Sequence, residues 1–272
     1  MCAMGQYGLV VEYDTAATGN IGTREHTHST YEVYFLVSGK RRYLMNDKIY
    51  DVSPGDVVFV PMEQLHRTTS VTKAGYHRYV AYFDAGQLAL FEKIAGKAAV
   101  DRLLGCSCLQ MPENEAAKLR REFEQLSKIL ENPTPLSRGL ATHTLQGILL
   151  TILDSGVPKV PFDGESADKI QLVARYIAEH YSSEITLPFA AGLACMEETY
   201  FSRKFRHLTG FSFLEYLTQQ RLLEARRLLR ETDLPVGRIA EVCGFSGGNY
   251  FGDVFLRHYG KSPTAYRKEC RK

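Results

Sequence analysis

The chain has 272 residues, of which 44% are hydrophobic and 24% charged. That length exceeds a common single domain of ~100–200 residues and predicts two compact units, while the composition excludes both a disordered chain and a miniprotein stapled by disulfides or metal. The formal charge of +2 hides a partition: from residue 167 onward 16 Lys and Arg stand against 12 Asp and Glu, and the part before it is slightly acidic.

No apolar run reaches the ~18 residues of a membrane-spanning helix, and Met1-Cys2-Ala3-Met4-Gly5 has no basic stretch leading into an apolar one. A soluble, cytoplasmic protein is expected. Cys2, Cys106, Cys108, Cys195, Cys243 and Cys270 are scattered, with no Cys-x-x-Cys pair, and read as reduced packing or surface thiols.

The first half reads as strands. Tyr31 to Val37 is rich in aromatic and β-branched residues, and similar runs cover Arg41 to Met45, Val57 to Val60, His66 to Val71 and Tyr76 to Phe83. Asn46-Asp47, Ser53-Pro54-Gly55 and Lys73-Ala74-Gly75 separate them, and turns this closely spaced predict an antiparallel sandwich or barrel. No Gly-rich phosphate loop joins a strand to a helix, so a nucleotide-binding fold has no support and the sheet is expected to enclose a small ligand.

His26, His28 and Glu32 share parity, so a regular strand points them to one face. Imidazole and carboxylate groups gathered this way could converge on one site, and His66 is a fourth candidate. Tyr43, His77 and Tyr79 (with Tyr82) complete the candidate effector-binding set. No organic cofactor is called for. His26-x-His28-x-x-x-Glu32 followed by Gly55-Asp56, Pro61 and His66 resembles the cupin family, and the resemblance implies a closed β-barrel in which His26, His28, Glu32 and His66 either hydrogen-bond an organic ligand or hold a divalent metal, zinc, iron or nickel suiting their nitrogen and oxygen donors better than magnesium.

Beyond the strands the period changes. Leu119, Phe123, Leu126 and Leu130 form an apolar stripe within Glu115 to Leu130, and Leu145, Ile148, Leu149 and Ile152 form another within Ser137 to Leu153. Such an αα-hairpin either covers the core beside it or pairs two copies of the chain. Turn formers crowd Asp154 to Gly164, which predicts a boundary near residue 160, with a sensing domain over 1–160, a helical dimerisation segment over 113–155 and a second domain over 161–272.

The second half reads as helices: Ile170 to His180, Pro188 to Ala194, Glu198 to His207, a long Phe213 to Arg230, then a repeat from Val236 through Gly244-Phe245 to Gly248–Tyr259. Thr199, Ser202, Arg203 and Arg206 recur at three- to four-residue spacing and share a face that could enter a major groove. The run Arg226, Arg227 and Arg230 reads either as a solvated surface or as part of a basic face.

Tyr200-Phe201-Ser202-Arg203-Lys204-Phe205 with Thr209-Gly210, and Ile239-Ala240, Gly244-Phe245, Asn249-Tyr250-Phe251 and Tyr259-Gly260-Lys261-Ser262-Pro263, resemble the AraC/XylS-type DNA-binding domain in order over about 100 residues. The resemblance implies two helix-turn-helix units joined by a long helix, with base contacts at Thr199, Ser202, Arg203 and Arg206 in the first and at Gly248, Asn249 and Asp253 in the second. Asp253 stands where many relatives carry Arg, and Glu197, Gly192 and Cys195 replace residues better suited to the first unit's cap, helix and turn, which predicts a less rigid first unit.

Together these features predict a two-domain α+β chain: a cupin-like antiparallel β-barrel with a helical connector, then an all-α domain with two helix-turn-helix units. The expected function is sequence-specific, DNA-binding transcription regulation, controlled by a small molecule such as a sugar or sugar derivative. The expected partners are double-stranded DNA, the effector, a second copy of the chain and RNA polymerase. An enzyme is not expected. The competing readings are a metal-dependent cupin enzyme carrying a DNA-binding domain, and a constitutive architectural protein whose DNA affinity ignores small molecules.

Overall fold

The computed structural model describes residues 7–18, 29–45, 47–72 and 74–271. The chain divides into two compact units, Met1–Asp163 and Gly164–Lys272. The predicted His26 and His28, the turn residues Asn46 and Lys73, and Cys2 lie outside the described residues.

The first unit contains β1 (Leu9–Thr18), β2 (Tyr31–Ser38), β3 (Arg41–Met45), β4 (Lys48–Val52), β5 (Asp56–Val60), β6 (His66–Ser70), β7 (Ala74–Phe83), α1 (Ala85–Ala95), α2 (Lys97–Gly105), β8 (Cys108–Gln110), α3 (Glu113–Glu131), α4 (Ser137–Ser155) and β9 (Val157–Pro158). Six strands form one sheet in the order β1-β7-β2-β5-β8-β9, and β4-β3-β6 form a second. Every strand pairing among the described residues is antiparallel.

Among the described residues no ladder joins the two sheets, so the expected closed barrel is corrected to two open sheets face to face. β3 spends its pairing on β4 and β6, and the outer edge of β5 is taken by β8, which arrives after two helices.

The large sheet is covered on both faces, which explains why β2 and β5 are apolar almost without interruption. Val33, Phe35, Phe59, Ala81 and Phe83 meet Leu88 and Phe91 of α1, Phe123 of α3, and Leu145 and Ile148 of α4. Tyr34, Leu36, Val58, Val80 and Tyr82 on its other face meet Tyr43, Met45, Tyr50 and Val52 of the small sheet. The stripes read on α3 and α4 therefore point into their own core: Leu119, Phe123, Leu126, Leu145, Ile148, Leu149 and Ile152 are fully buried. Gly39, at φ +90 between β2 and β3, is fixed by the tight turn, because a Cβ there would lie 2.6 Å from the Gly75 carbonyl oxygen.

The second unit is α5 (Glu165–His180), α6 (Leu187–Leu193), α7 (Glu198–Thr209), α8 (Phe213–Glu231), α9 (Val236–Val242), α10 (Gly248–Tyr259) and α11 (Pro263–Cys270). α8 starts at a full capping box, Ser212 with Glu215. Phe201 and Phe205 of α7 are buried with Phe213 and Tyr216 of α8, and Phe251 and Phe255 of α10 are buried with Leu222, Ala225 and Leu229 further along α8. One long helix thus supplies the floor of both short helix pairs. No described helix is long and apolar enough to cross a membrane.

Candidate nucleic-acid interface and effector site

The two short helix pairs are built alike. In each, an amide after the turn donates back across it, Met196 to the Ala191 carbonyl and Phe245 to the Ala240 carbonyl, both at 2.9 Å. Each turn requires one left-handed residue. In α9–α10 it is Gly244 at φ +79, where a Cβ would meet the Ser182 carbonyl oxygen at 2.6 Å. In α6–α7 it is Cys195 at φ +51, an L-residue in a region that costs it ~1–2 kcal/mol. Cys195→Gly is expected to raise the thermal stability of this unit by ~0.5–1 kcal/mol, the relief outweighing the extra chain entropy of glycine. Calorimetry of the full chain reads it, and an unchanged or lowered midpoint would refute it.

The Glu197 substitution does not cost the cap. Its carboxylate accepts from the Thr199 and Tyr200 amides, both at 2.9 Å, and those bonds hold its pKa below the ordinary carboxylate range. α7 consequently begins in a fixed register, with Phe201 and Phe205 inward. Thr199, Arg203 and Arg206 are exposed and Ser202 half-exposed on the opposite side. In α10, Gly248, Asn249 and Asp253 are exposed above buried Phe251 and Phe255. Each candidate set occupies the outward face of the second helix of its pair.

The basic run of α8 is structural. Arg226 is buried, its guanidinium 5.5 Å from the Tyr259 ring centroid; Arg227 pairs with Glu224 and Glu231, and Arg230 with Glu231. α8 therefore neutralises Arg227 and Arg230 with its own carboxylates, while α7 leaves Arg203 and Arg206 at the surface.

In the first unit, Glu32 and His66 do come together. Glu32 accepts from the Tyr43 hydroxyl at 2.8 Å and lies 3.4 Å from His66 Nε2; His66 Nδ1 faces the Gln64 carbonyl oxygen at 2.8 Å and must donate to it. His66 stacks on Tyr43, and all three are buried between the sheets. Burial, with Glu32 next in importance, pushes the Tyr43 hydroxyl well above its ordinary pKa. The other two effector candidates lie elsewhere. Tyr79 faces the helices and stacks on Phe123 at 5.6 Å, whereas His77 is exposed and meets the Tyr13 hydroxyl at 3.0 Å.

The alternative of a divalent metal on His26, His28, Glu32 and His66 is corrected. Among the described residues no group of three or more His, Cys, Asp or Glu is placed to hold one, and both Glu32 oxygens already face a partner, Tyr43 or His66. Asp56 of the cupin-like Gly55-Asp56 pair likewise serves the fold: it accepts from the Ser53 amide at 2.7 Å and pairs with Lys159.

The sequence reading missed the richest part of this layer. Fully buried Arg41 donates to Ser70 Oγ and Thr68 Oγ1, both at 2.6 Å, and lies 4.1 Å over the Tyr76 ring. Arg78 pairs with Asp14 at 2.9 Å, and the Tyr76 hydroxyl donates to the same carboxylate at 3.1 Å. Strand parity could have found them: Arg41 shares a face with Tyr43, and Tyr76 and Arg78 share one with Val80.

Two exposed helix faces over a shared floor in one unit, and a polar layer between two sheets in the other, define a DNA-binding regulator with a separate sensing unit. A family profile described as "AraC-like ligand binding domain" matches residues 9–149, and one described as "Helix-turn-helix domain" matches 190–269. The chain belongs to the AraC family of sequence-specific, DNA-binding transcriptional regulators. The first unit is the AraC-like ligand-binding domain, which replaces the cupin resemblance drawn from the histidine motif.

Similar proteins include the HTH-type transcriptional activator RhaR of Cronobacter sakazakii, 25% identical over 90% of this chain and 87% of the relative, and that of Klebsiella pneumoniae, 26% identical over 91% and 88%. Both are regulators, not enzymes. The DNA-binding domain of AdpA, a global transcriptional factor solved with a target DNA, is 36% identical over 38% of this chain and 93% of that one, with a TM-score of 0.37.

Proposed function

We propose that a sugar or sugar derivative bound between the two sheets of the first unit controls how the second unit binds its operator, and that the chain activates transcription as a homodimer in contact with RNA polymerase. The polar layer of Glu32, Tyr43 and His66 carries this reading, since buried hydrogen-bonding groups beside aromatic rings suit a hydroxylated ligand. Activation rests on the relatives named as activators.

Self-association falls to the outer side of the 113–155 segment, where Leu136, Leu140 and Leu150 are exposed while the inner stripes are consumed by the core. Thr199, Ser202, Arg203 and Arg206 are the proposed DNA contacts of α7, and Gly248, Asn249 and Asp253 those of α10.

A ligand that switches the protein must bind its two arrangements with different affinity. Screening sugars for thermal stabilisation of the full chain is expected to yield a hit worth ~2.7 kcal/mol at a hundredfold excess over Kd, and that hit is expected to change operator affinity at constant salt. A sugar that stabilises the chain and leaves operator affinity unchanged would overturn the proposal.

A further inference from the structure

Among the described residues, the buried charges of the first unit's inner layer are paired with one exception. Arg78 has Asp14, and Glu32 accepts from the Tyr43 hydroxyl and faces His66. Arg41 has only the neutral hydroxyls of Ser70 and Thr68 and the face of Tyr76. Its Nε is buried without a hydrogen-bond partner, and so is the hydroxyl of Tyr34, which projects from the facing sheet. Both residues are fully buried.

A guanidinium taken out of water is costly unless an anion or a complete set of acceptors meets it. Here two donors stand open beside a net positive charge, and no described residue supplies them an acceptor. Tyr34 also packs edge-on against Tyr43 at 5.4 Å, which links this end of the layer to the Glu32–Tyr43–His66 group.

We infer that Arg41 and the Tyr34 hydroxyl anchor the carboxylate of a small hydroxylated acid, a sugar acid rather than a neutral sugar. The two carboxylate oxygens take the two open donors, one each, in a charge-assisted contact. The hydroxyl groups of the acid extend toward Glu32, Tyr43 and His66, which supply both donors and acceptors. Arg41 then gains the counter-charge that no described residue provides. The inference rests on the reading of this unit as the effector-binding one and narrows it to an anionic effector.

Calorimetric titration of the full chain tests it with D-galacturonate and D-gluconate, their neutral counterparts D-galactose and D-glucose, and D-galactose 1-phosphate. At least one acid is expected to bind about tenfold or more tightly than its neutral counterpart and than the phosphate ester. Arg41→Gln is expected to weaken that acid at least about tenfold. Tyr34→Phe removes one hydroxyl without opening a cavity; it is expected to weaken the acid several-fold while the melting temperature of the free chain stays the same, so the test stands even if Arg41→Gln fails to fold.

Equal binding of neutral sugars, preference for the phosphate ester, no binding by either acid at millimolar concentration, or undiminished binding of the acid in Tyr34→Phe would each overturn the inference. A neutral sugar that binds and shifts operator affinity would overturn it and uphold the proposed function. An acid that binds through Arg41 and leaves operator affinity unchanged would do the reverse.

Discussion

Arg203→Ala is expected to weaken operator binding about 5- to 150-fold at fixed salt, the ~1–3 kcal/mol of one good base-edge contact, and to relax sequence preference at one position of the half-site. Arg203 is exposed on α7, its Nε 3.4 Å from the Thr199 carbonyl oxygen, so the side chain lies along the helix toward its N-terminal end, the end proposed to enter the groove. Asn249→Ala is expected to cost less. The face of α10 around Asn249 offers Gly248, which has no side chain, and Asp253, whose carboxylate is repelled by phosphate unless it accepts from a cytosine amine. Fluorescence-anisotropy titrations of both variants on operator and on scrambled duplex measure the ordering. Equal losses, or a larger loss for Asn249→Ala, would reject it.

The second unit was legible because its signals are local. Phe201 and Phe205, like Phe251 and Phe255, are spaced by one helical turn, and that spacing alone predicts an anchored face opposite an open one; all four are buried. Gly244-Phe245 marks a turn because only glycine tolerates the backbone there. The expected weakness of the Glu197 cap failed for an equally local reason: a carboxylate at the cap position accepts amide hydrogens as a serine hydroxyl would, and accepts two of them here.

The first unit was legible in its strands but not in their assembly. The five predicted strands occur, yet β1, β4, β8 and β9 went unread, although Asp84 capping the Gln87 amide at 3.0 Å, with Leu88 and Phe91 behind it, is a local signal for the equally unread α1. Closure depends on which strands pair across long separations: Tyr13 lies opposite Tyr79, and Val58 opposite Cys108. Turn spacing does not carry that information. The histidine motif drew attention to His26, His28 and His66, whereas the layer between the sheets is dominated by Arg41, Arg78, Tyr34 and Tyr76. An arginine in a strand is ordinarily read as facing water, and only the second sheet lying over β2 and β7 reverses that reading.

The largest loss of stability is expected from Phe205→Ala. Phe205 is fully buried, its ring centroid 5.5 Å from that of Phe201, 5.7 Å from Tyr216 and 6.4 Å from Phe213. Removing it opens a cavity where α7 meets α8 and costs ~3–5 kcal/mol, a large share of the ~5–15 kcal/mol that holds a domain of this size. Because α8 floors both helix pairs, a loosened α8 also releases α9 and α10, whose Phe251 and Phe255 pack on its later turns. Hydrogen exchange followed by mass spectrometry on the full chain is therefore expected to speed up in peptides from both helix pairs, while peptides from β2, β5 and β7, buried in a core of their own, exchange as before. Faster exchange confined to α6 and α7 would mean that the two pairs fold independently, and the shared-floor account of α8 would fail with it.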